Sequence, residues 1–122
     1  MIKSHFTIQI HKQKNKSHWD LRVLNKNKSS LLSWAIPKCK FPKIGEKLLA
    51  IQTPNHAISY MTYHGKLKNG ETVELYDGGL CNILKYTNDR LILDFKGTRI
   101  KGVYKLVKIH SKDKNVKWLL MK

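Results

Sequence analysis

The stretch HWDLRV, residues 18–23, alternates polar and apolar side chains without a break. A period of two is typical of a β-strand with one buried face, because successive side chains of a strand point to opposite sides of the sheet. His18, Asp20 and Arg22 therefore share one face, and the aromatic and aliphatic residues between and after them share the other. We predict that the apolar face contributes to a core and that the polar face carries chemistry.

The same kind of pattern continues on both sides of this stretch. Phe6, Ile8 and Ile10 alternate with polar residues, which predicts a first strand with Gln9 and His11 on its polar face. Further short runs typical of strands lie between turn residues. These runs are Leu31–Ile36, Lys47–Thr53, Tyr60–Gly65, Glu71–Tyr76, Leu80–Tyr86, Arg90–Phe95, Arg99–Ile109 and Val116–Met121.

The turns between the runs support an all-β fold. Asn69-Gly70 predicts a hairpin, and the sequence from Asp77 to Gly79 predicts a second turn. We find no convincing helical period and no linker, so we expect residues 1–122 to form one domain. About eight to ten short strands with little helix predict a β-barrel, because closure of the sheet removes its exposed edges.

The charge of the chain is far from balanced. Lys and Arg number 24 against 8 Asp and Glu, which gives a net charge of +16 and makes nucleic acid the first partner to consider. Cys39 and Cys81 stand in no metal-binding spacing and are expected to be free thiols. The chain shows neither a secretory signal nor an apolar run of the ~20 residues that a membrane span needs, so we expect a cytoplasmic protein.

The polar strand face is the best candidate for a site. An imidazole and a carboxylate suit Mn, Fe or Zn, and a neighbouring guanidinium can bind a phosphate through two parallel hydrogen bonds. His11 lies one loop before His18 and could return to the same face. A metal-dependent site for phosphate chemistry is one interpretation, and a solvated sheet surface with cross-strand ion pairs is the other. These four residues fit both.

Several blocks of the sequence, in order, resemble one family. They are Gln9-x-His11, His18-Trp19-Asp20-x-Arg22, Ser33–Lys38, His56-x-x-x-Tyr60, Gly102-x-Tyr104-x-Leu106-Val107 and Trp118–Lys122. Together they resemble the 3′-phosphoesterase domain of the bacterial and archaeal DNA ligase D end-joining enzymes, from about Phe6 to Lys122. Each block is unspecific alone, and their common order carries the resemblance.

The resemblance implies a β-barrel with a manganese-dependent site, in which Co²⁺ or Zn²⁺ is an alternative ion. Members of the family trim DNA 3′ ends: they remove a terminal ribonucleoside and then the 3′-phosphate that remains. The expected substrate is a DNA or DNA/RNA primer-template end. The expected partners are separate ligase or end-joining proteins acting in trans, and the protein itself is expected to be a monomer.

The resemblance also implies roles for individual residues. His11, His18 and Asp20 match the metal ligands, and Arg22 matches the residue that holds the scissile phosphate. His56 and Tyr60 match a catalytic histidine and its supporting tyrosine. Two further residues are expected to contact phosphate or nucleic acid, namely Gln9 and Lys38.

Two other functions compete with this one. His18, Asp20 and His110 fit the His-x-Asp…His pattern of a non-haem Fe(II) oxygenase, although the net charge and Arg22 argue against it. The chain could also be a basic β-barrel without catalysis that binds single-stranded nucleic acid through its aromatic and lysine side chains.

Overall fold

A computed structural model describes residues 1–110 and 114–122. These residues form nine strands and a 3₁₀ helix, Ile58–Thr62. The strands are β1 (Ile2–Lys12), β2 (Ser17–Leu24), β3 (Leu31–Ile36), β4 (Lys47–His56), β5 (Gly65–Lys66), β6 (Thr72–Tyr86), β7 (Arg90–Lys96), β8 (Lys101–Ile109) and β9 (Val116–Met121). No helix in the described part of the chain is long and apolar enough to cross a membrane.

Eight of the strands close into an antiparallel barrel. Their order around it is β1-β2-β3-β4-β9-β8-β7-β6, and the pairing of β6 with β1 completes the ring. The short β5 lies outside the ring and pairs with the start of β6. The prediction of an all-β barrel with little helix is confirmed.

The inward faces of the strands supply the core. Leu21 and Val23 of β2 are fully buried, as the alternation in this strand predicts, and Trp19 packs at their edge with its ring centroid 4.3 Å from that of Tyr76. The aromatic rings of Phe6 and Phe95 meet across the core edge to face, 4.6 Å apart. Both cysteines are free thiols, as predicted.

Two predicted local structures are wrong. The run Tyr60–Gly65 is not a strand, because residues 58–62 form the 3₁₀ helix and only Gly65–Lys66 pair in the sheet. The predicted turn from Asp77 to Gly79 lies inside β6, which continues through it. The hairpin at Asn69-Gly70 is confirmed: the Leu67 N–H donates to the Glu71 carbonyl at 2.7 Å, and Gly70 takes a φ of +88°.

Asp77 explains why an Asp-Gly-Gly sequence occurs inside a strand. Its carboxylate accepts hydrogen bonds from four backbone N–H groups, at distances of 2.7–3.0 Å. The donors are Gly78 and three residues of the β7–β8 connection, Thr98, Arg99 and Ile100. The connection is therefore held to β6, and β8 begins at Lys101 rather than at Arg99.

We expect Asp77→Asn to lower the free energy of unfolding by about 2–3 kcal/mol at pH 7, because amide hydrogens would then face backbone donors that have lost a charged acceptor. Burial alone would raise the pKa of Asp77, but the four N–H bonds outweigh it and hold the pKa below its usual value. The folded-state pKa is thus below the unfolded one, so this stabilisation is present above the unfolded pKa and is lost as pH falls through the folded pKa.

Urea unfolding of wild type and variant at pH 7 and in strong acid tests this expectation. The difference in the free energy of unfolding between wild type and Asp77→Asn should be smaller in acid than at pH 7. The control is Asp89→Asn in an exposed turn, which should stay within about 0.5 kcal/mol of wild type. If Asp77→Asn at pH 7 changed the free energy of unfolding as little as Asp89→Asn does, the anchoring role of Asp77 would be contradicted.

Candidate active site

Three neighbouring strands place the polar side chains of the site next to one another on the outside of the barrel. Gln9 of β1 lies opposite Asp20 of β2, and His11 lies opposite His18. Arg22 lies opposite Ser33 of β3. Directly opposed residues in an antiparallel pair have adjacent side chains, so the strand register alone brings these groups together.

Two histidines and an aspartate form a cluster of candidate metal ligands. One ligand atom from each of His11, His18 and Asp20 lies within 4.8 Å of the other two. The His18 Nε2 is 3.2 Å from Asp20 Oδ1, and the His11 Nδ1 is 3.8 Å from Asp20 Oδ2. Two imidazole nitrogens and a carboxylate oxygen suit Mn, Fe or Zn, so the residues present fit the ion that the sequence predicts.

The described residues contain no second cluster of this kind. His110 follows the end of β8, whose neighbours in the barrel are β7 and β9, and it does not join His18 and Asp20. The His18–Asp20–His110 triad of the oxygenase alternative is therefore wrong.

Arg22 lies beside the ligand cluster in a pocket of polar groups. Its Nε donates to Gln9 Oε1 at 2.6 Å, its Nη1 donates to Ser33 Oγ at 2.9 Å, and its Nη2 is 3.6 Å from Asp20 Oδ2. Burial lowers the pKa of Arg22, and the Asp20 carboxylate partly offsets that effect. A guanidinium remains charged under such conditions, so a fixed positive charge stands next to the ligands.

His56, at the end of β4, contacts Arg22 from the other side. The His56 Nδ1 is 3.1 Å from Arg22 Nη1, 3.3 Å from Ser33 Oγ and 2.9 Å from the Pro54 carbonyl oxygen. Burial, and then the charge of Arg22, lower the pKa of His56 below its usual value. A neutral imidazole is thereby favoured near Arg22.

The segment around the 3₁₀ helix covers these groups. The Tyr60 ring lies 4.6 Å from the Arg22 guanidinium carbon and 5.0 Å from the His56 ring, and burial raises the pKa of its hydroxyl. Tyr60 also stacks on Tyr63 at 4.9 Å. This cover explains why Arg22, at only 4% exposure, is buried although it faces away from the core. Asp20, at 5%, is enclosed by His11, His18 and Arg22.

Gln9 lies beneath the covering segment. It is fully buried, with its amide oxygen on Arg22 and its amide nitrogen donating to the carbonyl oxygens of Tyr60 and Tyr63 at 2.7 and 3.1 Å. Gln9 therefore joins Arg22 to the covering segment, and its contact with phosphate or nucleic acid stays a prediction.

Lys38 is exposed in the turn that follows β3. The Sγ of the next residue, Cys39, lies 3.3 Å from the Ser17 carbonyl oxygen, so this turn is close to the start of β2 and to His18. Lys38 is thus at the rim of the site, outside the hydrogen-bonded cluster.

Sequence patterns missed Ser33 and Glu71. Ser33 was detectable as the polar residue in the apolar strand LLSWAI, but its position opposite Arg22 depends on strand register. The Glu71 carboxylate lies 2.6 Å from His11 Nε2, and this hydrogen bond is the main cause that holds the pKa of Glu71 below its usual value. No sequence signal connects these two residues, because their contact requires β6 to pair with β1.

Comparisons with known proteins give one consistent result. The model of a family described as the DNA Ligase D 3′-phosphoesterase domain matches residues 9–108. A "Multifunctional non-homologous end joining protein LigD" of Mycobacterium bovis is 31% identical over 114 residues, which cover 87% of this chain and 15% of the relative. The protein of the same name from Mycolicibacterium smegmatis is 30% identical over 129 residues, covering 93% and 16%. The chain thus spans about one sixth of the length of these relatives.

Proposed function

Because this chain belongs to the DNA ligase D 3′-phosphoesterase family, we propose that it is a metal-dependent phosphoesterase that processes DNA 3′ ends during non-homologous end joining. The proposed substrate is a primer-template whose primer ends in a ribonucleoside. Removal of that ribonucleoside leaves a 3′-phosphate, and removal of the phosphate then leaves a 3′-OH. The observation that carries the proposal is the charged Arg22 guanidinium 3.6 Å from the carboxylate of the ligand cluster.

His11, His18 and Asp20 would hold the metal ion, for which we propose Mn²⁺. When bound, such an ion acts as a Lewis acid that polarises a phosphoryl oxygen and lowers the pKa of a bound water. The three side chains are fixed by the β1–β2 register, so the ligand set needs little rearrangement. A preformed set of this kind lowers the entropic cost of binding.

Arg22 would bind the phosphoryl oxygens and stabilise the negative charge that develops in the transition state. Its bonds to Gln9 and Ser33 hold the guanidinium in one orientation, and such preorganised donors are effective in catalysis. His56 is held on the same guanidinium and, as a neutral imidazole, would donate a hydrogen bond to the phosphate or the leaving oxygen. Tyr60 would exclude water from this side.

The partners are proposed from charge and from the relatives. A net charge of +16 favours association with a polyanion, and Lys38 at the rim would contact the DNA backbone. The relatives carry the name of end-joining proteins, so we propose that ligation of the processed end falls to other parts of the end-joining machinery.

The test is incubation with a primer-template that carries one 3′-terminal ribonucleotide, with and without Mn²⁺. We expect Mn²⁺-dependent shortening of the primer by one nucleoside, first to a 3′-phosphate and then to a 3′-OH. An all-deoxy primer on the same template is the matched control and should be shortened far less. If the protein binds this DNA but cleaves neither primer with Mn²⁺, it is the non-catalytic nucleic-acid-binding barrel instead.

A further inference from the structure

The two ring nitrogens of His11 face two different carboxylates. Nδ1 lies on the side of the ligand cluster, 3.8 Å from Asp20 Oδ2, while Nε2 is 2.6 Å from Glu71 Oε1. A neutral imidazole carries a single N–H, and an ionised carboxylate only accepts hydrogen bonds. Glu71 therefore favours the tautomer with the proton on Nε2, which leaves the Nδ1 lone pair directed at the cluster.

We propose that Glu71 is a positioning residue that fixes the tautomer and the ring orientation of His11 for metal binding. The inference rests on the proposed function, since it concerns the same metal site. A carboxylate that accepts the second N–H of a ligand histidine raises the basicity of the ligand nitrogen and restricts rotation of the ring. Glu71 would thus contribute to metal affinity without contacting the ion.

The hairpin outside the barrel holds Glu71 in place. The Glu71 N–H donates to Asn69 Oδ1 at 3.0 Å, and its carbonyl oxygen accepts from the Leu67 N–H at 2.7 Å. Val73, two residues later, pairs with His11, so Glu71 is the diagonal neighbour of His11 across β1 and β6. A long side chain reaches its diagonal neighbour in a sheet. The turn between β5 and β6 thereby fixes the backbone of the residue that bonds His11.

A nearby ion pair shows what a merely superficial contact looks like in this chain. The charged groups of Lys12 on β1 and Glu74 on β6 are 3.0 Å apart, with their side chains 54% and 53% exposed. The His11 and Glu71 side chains are only 18% and 24% exposed, and their contact is shorter. Solvent screens the first pair far more than the second, so Glu74 serves as a matched control.

The first measurement is titration with Mn²⁺ alone, in which electron paramagnetic resonance reports the free ion. We expect Glu71→Ala to weaken Mn²⁺ binding by about 10–100-fold. Glu71→Gln should lose less, because its amide oxygen still accepts from Nε2–H. Glu74→Gln should bind as wild type does. Unfolding curves of all variants check that the barrel is intact.

The second measurement is ¹⁵N NMR of the His11 side chain in the metal-free protein, recorded at a pH where the chemical shifts of the two ring nitrogens are those of a neutral imidazole. Wild type should show Nε2 protonated, and Glu71→Ala should show a mixture of the two tautomers. A role confined to the hairpin would leave the tautomer unchanged.

The outcomes separate this inference from the proposed function. Wild type could bind Mn²⁺ and cleave the ribonucleotide-ended primer while Glu71→Ala and Glu71→Gln both bind Mn²⁺ as tightly as wild type. That result would overturn only the positioning role of Glu71. Failure of wild type to bind Mn²⁺ overturns both. Cleavage is not needed for either measurement, so a wild type that binds Mn²⁺ but does not cleave still tests Glu71.

Discussion

Asp20→Asn should abolish tight Mn²⁺ binding and 3′-end cleavage while the barrel stays folded. Asp20 is the one carboxylate of the ligand cluster, and its two oxygens face His18 and His11 at 3.2 and 3.8 Å. Asparagine keeps the shape of the side chain but removes the charge that compensates the ion. We expect Mn²⁺ affinity to fall by more than about 100-fold, because replacing a residue that only supports a metal ligand already lowers affinity by about 10–100-fold.

Titration with Mn²⁺, single-turnover cleavage of the ribonucleotide-ended primer and urea unfolding measure the three consequences separately. Asp94→Asn is the matched control. Asp94 is a carboxylate on β7, away from the site, and its Oδ2 is 3.1 Å from Lys96 Nζ. That variant should bind Mn²⁺ and cleave as wild type does. An Asp20→Asn protein that binds Mn²⁺ within threefold of wild type, taken as about 0.6 kcal/mol, would rule out the proposed ligand set.

Arg22→Ala should reduce the single-turnover rate by about 10²–10³, the usual cost of losing one charge-stabilising donor. Mn²⁺ binding should be preserved or tightened, because the change removes a positive charge 3.6 Å from Asp20. Arg22→Lys should restore little activity, since an ammonium cannot form the planar fork that contacts Gln9 and Ser33 while binding a phosphate.

The comparison variant for Arg22 is Lys38→Ala at the exposed rim of the site. It should act mainly through substrate affinity and leave the rate at saturating DNA nearly unchanged. Because alanine leaves the buried Gln9 oxygen without its partner, unfolding curves accompany the kinetics and Arg22→Lys provides a milder variant. Cleavage by Arg22→Ala at the wild-type rate would mean that Arg22 has no part in the reaction.

The sequence predicts the site strand by strand but not its cover. Period-two alternation identifies the face of His18, Asp20 and Arg22, because that property belongs to a single strand. The burial of Arg22 and Gln9 on this side of the barrel depends on a segment more than thirty positions later. The sequence predicts a strand there, over Tyr60–Gly65, whereas the structure forms a 3₁₀ helix over Ile58–Thr62. Non-local packing of this kind leaves no periodic signal.

Asp77 and Glu71 illustrate the same limit in two ways. The sequence Asp-Gly-Gly is typical of a turn, and its role here as an anchor for the β7–β8 connection depends on a neighbour about twenty residues away. The hairpin beside Glu71 is local and was predictable from Asn69-Gly70. The contact of Glu71 with His11 was not, because it depends on the register of β6 on β1.

Closure of the barrel by pairing of β1 with β6 is needed for Glu71 to contact His11. Strand β1 pairs with β6 from Ile2 opposite Ile83 to Lys12 opposite Thr72, so it completes its pairing only after most of the chain has been synthesised. Contacts of such high sequence separation are slow to form, typically in milliseconds to seconds. The β1–β2 hairpin carries all three ligands, but the contact of His11 with Glu71 forms only when β6 pairs with β1, so it is absent from any intermediate with an open barrel. An ion that binds the closed state about 10–100-fold more tightly, the factor expected for the Glu71 contact, would at saturation stabilise closure of the barrel by about 1.4–2.7 kcal/mol.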